Sequence, residues 1–274
     1  LCFENEILRQ IAAETPRRVI SYAIDAEADY RGADIETHGS IISFTVFERG
    51  TELGRISLNI PGRHNVLNAL ACIAVARLAG VEFTQIQDAL AGFHGAKRRF
   101  QTKGKERGVW VVDDYAHHPT EIAVTLAAAR QTTPGRLICV FQPHRYSRTQ
   151  LLREEFGSCF KNADLLLLTD VYAAGEAPIP GISGETLMEE VAKQTGQDAV
   201  YLPERADLER YLAQHVRAGD LVITMGAGNI LEVGETLVEQ LKNGTAGTGE
   251  RPIVVVMGGP STEAEVSRRS GTAI

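Results

Sequence analysis

The sequence predicts an α/β protein built around a parallel sheet. From about residue 97 onwards, short apolar runs alternate with polar loops and helical patterns, which is typical of repeated β-α-β units. Four of the apolar runs, at residues 109–112, 137–141, 165–168 and 221–224, end abruptly in clusters of polar, glycine and aromatic residues. Continuous apolar runs are typical of buried parallel strands, and open α/β sheets bind ligands beyond the carboxyl ends of their strands. We therefore predict that the four clusters form the rim of one active site.

Length and composition exclude several classes of protein. A chain of 274 residues is long enough for one large domain or two ordinary ones, and its net charge of −7 argues against nucleic acid as a general partner. The four cysteines are scattered without a CxxC pair, and two of them lie in apolar runs, which favours reduced thiols of a cytoplasmic protein. No apolar stretch approaches the roughly 20 residues needed to span a bilayer, so we expect no membrane insertion.

The first ninety or so residues predict a different arrangement, with short strands placed between helices. The pattern indicates a helix over residues 1–13, strands over 18–23, 29–35, 40–47 and 53–58, a helix from about 63 that ends at Gly80, and a helix over 84–91. Residues 92–96, Gly-Phe-His-Gly-Ala, predict a hinge because glycine permits backbone conformations that other residues avoid.

The second part predicts five helices between its strands. They cover residues 121–130, 151–161, 183–194, 205–216 and 230–241. Residues 243–250 are rich in glycine and threonine and indicate a linker, after which residues 252–256 begin a new strand. The helical pattern is already under way at residue 1 and a new one begins near residue 274, so we expect an internal piece of a longer polypeptide.

Three polar residues share one face of the helix that follows Pro61-Gly62. His64 and Asn65 lie four and three residues before Asn68, which places all three on one face at the first helical turn. Asparagine offers both hydrogen-bond donors and acceptors, which suits the edge of an adenine, and a helix N-terminus favours negative charge. The alternative is that these side chains cap free N–H groups of the helix.

Charged residues follow at the hinge and at the first strand end. Lys97-Arg98-Arg99 could hold a phosphate, since a guanidinium forms two parallel hydrogen bonds to such a group, although basic runs are commonly solvated surfaces. Asp113 and Asp114 could bind ribose hydroxyls or a magnesium-linked group, or cap the next helix. These alternatives remain open at this point.

The remaining clusters carry groups suited to proton transfer and to carboxylate binding. His117-His118 places two imidazoles on a loop, where they can exchange protons near neutral pH, and no third ligand at zinc spacing accompanies them. Arg145 and Arg148 match a carboxylate substrate, with structural ion pairing as the competing interpretation. Tyr172 and Glu176 belong to the third cluster, and Gly226-Ala-Gly228 forms a flexible turn near the fourth strand end.

Five segments together resemble the Mur ligase family, and within it the ligases that join L-alanine to UDP-N-acetylmuramate in peptidoglycan synthesis. The segments are PGRHNVLN at 61–68, RRF at 98–100, DDYAHHPTE at 113–121, QPHRYSR at 142–148 and DVYAAGE at 170–176. The resemblance covers residues 1–242 in order. Residues 253–274, with Gly-Gly-Pro-Ser-Thr-Glu at 258–263, are similar to the start of a D-alanine–D-alanine ligase. The two resemblances imply an enzyme of cell-wall synthesis that carries two fused activities.

The resemblance implies a domain organisation. Residues 1–95 would be the C-terminal part of a truncated ATPase-type central domain, and residues 96–242 a Rossmann-like parallel-sheet C-terminal domain. Residues 243–251 would be a linker, and residues 252–274 the first βα unit of an ATP-grasp ligase.

It also implies residue roles. His64, Asn65, Asn68, Arg99 and Asp114 would bind ATP, while Tyr115, His117, His144, Arg145, Arg148 and Tyr172 would line the site where L-alanine meets the activated substrate. Arg145 and Arg148 would hold the alanine carboxylate, and Glu263 would orient the first D-alanine of the fused ligase.

The family mechanism has two steps. ATP phosphorylates the lactyl carboxylate of UDP-N-acetylmuramate, and the amine of L-alanine then attacks the acyl phosphate. The resemblance implies magnesium with ATP, held mostly by residues outside this chain. No GxxxxGK[ST] phosphate loop occurs in the 274 residues, so we expect this chain alone to be inactive. The alternatives are a ligase that recycles murein peptide and a non-catalytic binding module of the same fold.

Overall fold

The computed structural model describes residues 1–39, 41–93, 95–133, 135–197 and 199–247. Nineteen helices and strands fall within these ranges. In chain order they are α1 (Glu6–Glu14), β1 (Tyr22–Ala23), β2 (Tyr30–His38), β3 (Ile41–Glu48), β4 (Thr51–Leu58), α2 (Arg63–Leu78), α3 (Phe83–Ala91), β5 (Gln101–Glu106), β6 (Val109–Asp114), α4 (Pro119–Thr132), β7 (Leu137–Phe141), α5 (Tyr146–Leu151), α6 (Arg153–Ser158), β8 (Leu165–Leu168), α7 (Gly184–Thr195), β9 (Ala199–Tyr201), α8 (Arg205–His215), β10 (Leu221–Met225) and α9 (Leu231–Asn243).

The first sheet has four strands in the order β1-β2-β3-β4. Strand β1 is parallel to β2, and the other neighbours are antiparallel. Alternating apolar side chains of β3, such as Ile42, Phe44 and Val46, are buried against α2 and α3. Helix α2 contributes Leu70 and Ile73 to the same core, and this packing fixes the orientation of its first turn.

The second sheet has six strands in the order β5-β6-β10-β7-β8-β9, and only β5 runs antiparallel to its neighbour among these strands. Its central strands are buried on both faces, so they carry apolar side chains on both faces. Their carboxyl ends are in register, because Met225 pairs with both Asp114 and Phe141, and Phe141 pairs with Leu168. The four polar clusters therefore lie along one edge of one sheet, as the apolar runs predicted.

The α/β fold class and the parallel sheet are confirmed, while several predicted elements are corrected. The predicted helix over 1–13 begins only at Glu6, because Asn5 caps it and Cys2 pairs with Tyr22 in an extended bridge. The predicted strand over 18–23 is reduced to its last two residues. The predicted helix over 151–161 is replaced by α5 and α6, which are separated at Leu152, where the backbone leaves the helical region.

Two strands of the structure were not predicted from the sequence. Strand β5 has the polar sequence QTKGKE, and strand β9 has only three residues, so neither shows a strong apolar pattern. The predicted strand over 252–256 and the predicted substrate residue Glu263 lie outside the described residues. Within the described ranges, none of the helices combines the length and apolar character that crossing a bilayer requires.

Candidate functional site

A cavity of about 700 Å³ lies between the two sheets. It is bounded by α2 and α3 on one side and by the end of β6 and the start of α4 on the other. All five residues predicted to bind ATP line it: His64, Asn65, Asn68, Arg99 and Asp114. The rest of the lining is largely apolar and includes Leu58, Leu90, Phe93 and Val124. An apolar cavity with a few convergent polar groups is typical of a small-molecule site.

The first turn of α2 presents its polar side chains to this cavity. Gly62 is the N-cap residue, with a φ of 104°, and no side chain caps the helix. The Asn65 side-chain amide donates to the carbonyl of Pro61 at 2.7 Å, and the Asn68 amide donates to Asn65 Oδ1 at 3.3 Å. The capping alternative therefore fails for this group, and no described residue donates a hydrogen bond to the carbonyl oxygen of Asn68, which can meet a ligand.

His64 is half-buried at this turn. Burial lowers the pKa of its imidazole, and the nearby Arg99 guanidinium lowers it further. We infer that His64 is neutral in the cavity at physiological pH. A neutral imidazole is suited to contact a base or a sugar through hydrogen bonds and apolar packing.

Asp114 closes the opposite side of the cavity. Its Oδ2 accepts a hydrogen bond from the backbone N–H of Phe100 and its Oδ1 from that of Ala116, both at 2.8 Å. Burial raises the pKa of Asp114 to about 6, although these two hydrogen bonds and Arg99 act in the opposite direction. Asp114 thus joins the segment after the hinge to the loop after β6, and it still faces the cavity.

Arg98 has a role that the sequence did not reveal. Its Nε donates to Asp113 Oδ2 at 2.9 Å, and its two terminal nitrogens donate to the carbonyls of Gly226 and Gly228 at 2.7 and 3.2 Å. The guanidinium also lies 5.0 Å from the centre of the Tyr115 ring. These hydrogen bonds anchor the segment that carries Arg98 to the second sheet. The adjacent Arg99 is exposed and lines the cavity.

A second cluster, the histidine–arginine cluster, lies along the same sheet edge and consists of Tyr115, His117, His144, Arg148 and Tyr172. The ring centres of His117 and His144 are 5.8 Å apart, and Tyr172 stacks on His144 at 5.6 Å with an interplanar angle of 10°. Tyr115 meets His117 edge to face at 5.3 Å. The loops after β6 and β8, together with the loop after β7 and the helix α5 that follows it, therefore bring five of the predicted residues together.

The two arginines of the QPHRYSR segment have different surroundings. Arg148 lies on α5 and donates to His144 Nδ1 at 3.2 Å, whereas the side chain of Arg145 is exposed next to the cluster. Arg145 has a φ of 71°, and its N–H donates to the carbonyl of Tyr172 at 2.9 Å, which places it between the loops after β7 and β8. The competing interpretation as a structural ion pair finds no support at either arginine among the described residues, because neither forms a salt bridge there.

Glu176 supports the cluster from the loop after β8. Its carboxylate accepts hydrogen bonds from the N–H and the hydroxyl of Ser147, at 3.0 and 2.6 Å, and these bonds lower the pKa of Glu176. The start of α5, which carries Arg148, is thereby joined to the loop that carries Tyr172. Glu176 therefore contributes to the geometry of the cluster.

Glu121 connects the cavity to the histidine–arginine cluster. It lines the cavity, its Oε1 is 3.9 Å from Arg99, and its Oε2 is 3.7 Å from Nδ1 of His117. Glu121 lies three residues after the N-cap residue His118 and forms a capping box with it. This spacing is the sequence feature that indicates Glu121. No group of three His, Cys, Asp or Glu side chains among the described residues could hold a metal ion.

The chain resembles known ligases over most of its length. Residues 2–76 match the Mur ligase middle domain, and residues 98–228 match the family described as Mur ligase, glutamate ligase domain. A UDP-N-acetylmuramate–L-alanine ligase of Trichlorobacter lovleyi is 50% identical over 242 residues, which are 88% of this chain and 53% of that protein. This chain therefore spans about half the length of this relative.

Two solved structures share the fold. The UDP-N-acetylmuramate–alanine ligase of Thermotoga maritima matches with a TM-score of 0.70 and 26% identity, covering 82% of this chain and 48% of that one. A murein peptide ligase of Psychrobacter arcticus matches with a TM-score of 0.61 and 26% identity, covering 86% of this chain and 49% of that one.

Proposed function

Because this chain belongs to the Mur ligase family, we propose that it forms part of an enzyme that joins L-alanine to UDP-N-acetylmuramate at the expense of ATP. The observation that carries the proposal is the continuity of the site. A cavity with adenine-, ribose- and phosphate-binding chemistry meets a cluster of histidines and arginines at Glu121. The name of the 50% identical relative supports this substrate pair.

In this proposal ATP occupies the cavity between the sheets. Asn68 and His64 contact the adenine and its surroundings, Asp114 accepts from the ribose, and Arg99 meets the phosphates, since it is exposed at the cavity. We expect magnesium to accompany the phosphates. The described residues offer no suitable group of ligands for it, so no step is assigned to a metal held by them.

The amino acid occupies the histidine–arginine cluster. Its carboxylate binds Arg148 and Arg145, and its methyl group lies against Tyr172, with Tyr115 at the opposite side. This clamp holds the amine beside the acyl phosphate that ATP forms on the lactyl carboxylate of the other substrate. Such positioning lowers the entropic part of the barrier to attack.

We propose the following domain organisation. Residues 1–95 are the C-terminal part of the central ATP-binding domain, and residues 96–242 form the domain that binds the amino acid. Residues 243–251 are a linker, and residues 252–274 begin a D-alanine–D-alanine ligase, in which Glu263 orients the first D-alanine. The last proposal rests on sequence alone, and D-alanine-dependent phosphate release by the full-length protein would test it.

Two other functions are compatible with the same fold. The similarity to the murein peptide ligase of Psychrobacter arcticus favours a recycling enzyme as the second candidate, and a binding module without catalysis is the third. The retained imidazoles and guanidiniums argue against the binding module, because a site without chemistry has no need for them. We expect a cytoplasmic enzyme, because the four scattered cysteines favour reduced thiols.

The test is phosphate release from ATP by the full-length protein with UDP-N-acetylmuramate, with and without L-alanine. We expect alanine-dependent turnover, and in Arg148→Ala a rise of about 100-fold in the KM for L-alanine with little change in that for ATP, because a charge-assisted clamp is lost. Arg210→Ala, on the exposed face of α8, is the control. Turnover with a murein tripeptide alone would assign the recycling activity, and no turnover would leave the binding module.

We also expect the 274-residue chain by itself to be inactive, because its sequence contains no phosphate loop of the form GxxxxGK[ST]. The measurement is amide formation from the same three substrates with the isolated chain. Detectable ATP-dependent ligation would contradict this expectation.

A further inference from the structure

The two histidines of the cluster carry their hydrogen on different ring nitrogens. Nδ1 of His117 lies 2.9 Å from the carbonyl oxygen of Tyr115 and 3.7 Å from Oε2 of Glu121. Both of these oxygens are acceptors, so Nδ1 of His117 must carry a hydrogen. In the neutral ring, Nε2 therefore carries the lone pair and is available to accept a proton.

His144 is held in the reverse pattern. Its Nδ1 lies 3.2 Å from a terminal nitrogen of Arg148, and a guanidinium can only donate. Nδ1 of His144 therefore accepts, and the hydrogen of the neutral ring is on Nε2. Burial lowers the pKa of His144, and Arg148, His117 and Arg145 lower it further, while Glu176 alone opposes them. His144 consequently remains a neutral N–H donor.

We propose, building on the proposed ligase function, that His117 accepts the proton of the incoming ammonium group and that His144 donates a hydrogen bond to the oxygen that becomes negative. Glu121 is a positioning residue in this arrangement. Its carboxylate accepts from the backbone N–H of His117 at 3.2 Å and lies beside the ring nitrogen that must keep its hydrogen. The arrangement follows the general logic of a nucleophile, a base and a group that orients the base.

The charges around His117 fit this role. Glu121 is the acidic side chain that faces the ring from α4, and it offsets the positive charge that the ring gains with the proton. Tyr115 and His144 meet the ring from the loops after β6 and β7, and Arg99 faces the far side of Glu121. Once protonated, His117 is positively charged, and the Glu121 carboxylate beside its Nδ1 stabilises that charge. The Nε2 side of the ring remains available to the substrate.

Two of the three protons of the L-alanine ammonium group leave during the reaction. The ammonium group of L-alanine gives one proton to Nε2 of His117, and the nitrogen lone pair forms the C–N bond at the acyl carbon. The carbonyl oxygen gains negative charge and accepts a hydrogen bond from Nε2–H of His144. The C–O bond to phosphate then breaks, and phosphate leaves with the electron pair and the second amine proton. His117 releases its proton to solvent before the next turnover.

Hydroxylamine separates proton removal from the remaining chemistry. It is largely unprotonated at pH 8, so it attacks an acyl phosphate without a base, and the product is a hydroxamate. With the full-length protein, ATP and UDP-N-acetylmuramate, we expect His117→Gln to lower kcat with L-alanine by at least about 100-fold. Hydroxamate formation should stay within about threefold of the wild-type rate, since only proton removal is lost.

The other variants follow from the same assignment. His144→Gln should slow the reactions with both L-alanine and hydroxylamine, because the developing oxyanion loses a fixed hydrogen-bond donor in each case. Glu121→Gln keeps the capping oxygen but loses the charge, so it should slow L-alanine by about tenfold and leave hydroxylamine unaffected, with partial recovery in Glu121→Asp. The matched control is His215→Gln on α8, where Nδ1 of His215 makes a similar contact of 2.7 Å to the carbonyl of Tyr211 away from the site.

The outcomes distinguish the two levels of proposal. A wild-type protein without alanine-dependent phosphate release would remove the ligase function itself. If the wild type is active, two results for His117→Gln would overturn the assignment of the base. One is an equal loss of rate with L-alanine and with hydroxylamine, and the other is an unchanged rate with L-alanine. If His117→Gln is unfolded by circular dichroism, the ratio of the two rates in Glu121→Gln decides the question, since an unchanged ratio overturns the proposal.

Discussion

Arg98 and Asp113 form a buried ion pair that joins the segment after the hinge to the second sheet. Arg98 Nε lies 2.9 Å from Asp113 Oδ2, and the two side chains are 19% and 0% exposed. Asp113 also accepts a hydrogen bond from the hydroxyl of Thr224 on β10 at 2.8 Å. The pair therefore connects the loop before β5, the end of β6 and the end of β10, on which both parts of the site depend.

Removal of Arg98 should destabilise the protein strongly. Arg98→Ala leaves the Asp113 carboxylate buried without its cation, which typically costs about 3–5 kcal/mol. The measurement is the free energy of unfolding from urea titrations. Arg49→Ala is the matched control, because Arg49 is 64% exposed in its pair with Asp29, and such pairs contribute less than about 1 kcal/mol. Equal effects of the two substitutions would contradict the assignment of Arg98 as an anchor.

Asp114 should make stability depend on pH in a defined direction. Burial raises its folded-state pKa to about 6, above that of an unfolded aspartate, so protonation of Asp114 favours the folded state. Its contribution is fully present below about pH 4 and is lost as the pH rises through about 6. The difference in unfolding free energy between the wild type and Asp114→Asn should therefore fall by about 2 kcal/mol from pH 4 to pH 7. A difference independent of pH would show that Asp114 does not titrate in this way.

Asn68 should contribute to both the affinity and the selectivity of nucleotide binding. Asn68→Ala removes a free amide oxygen from the cavity, and the loss of about 1 kcal/mol corresponds to a five- to tenfold weaker binding of ATP. The preference for ATP over GTP should decrease as well. Calorimetry on the full-length protein measures both quantities. Val75→Ala serves as the control, because Val75 is exposed on the same helix beyond the cavity, and no change in ATP binding by Asn68→Ala would exclude adenine from this position.

Cys72 should report occupancy of the cavity. It lines the cavity and is exposed, whereas Cys139 and Cys159 are buried with their thiol pKa values raised by that burial. We expect iodoacetamide to modify Cys72 and to leave the two buried thiols unmodified. ATP at about ten times its Kd should slow the modification of Cys72 by about tenfold. Peptide mass spectrometry follows each thiol separately, and an ATP-independent rate at Cys72 would mean that ATP binds elsewhere.

The sequence by itself determined the α/β class and most of the individual elements. The apolar runs that became β7, β8 and β10 were recognisable because strands buried on both faces need apolar side chains at every position. It also indicated the polar residues that follow these strands, because a change from apolar to polar residues marks the strand end. Strand β5 could not be recognised, since an edge strand is partly solvated and tolerates the sequence QTKGKE.

Only the tertiary structure decided which of these residues meet. The order β6-β10-β7 places β10 beside β6, which lies more than a hundred residues earlier in the chain, and local patterns do not specify such parallel pairing. The roles of neighbouring arginines were decided in the same way, because Arg98 finds Asp113 and two carbonyls while Arg99 faces the cavity. The hydrogen-bond patterns of His117 and His144 depend on the Tyr115 carbonyl and on Arg148. Hydrogen bonding of an imidazole is set by the atoms that surround it in space, and the sequence alone does not contain that information.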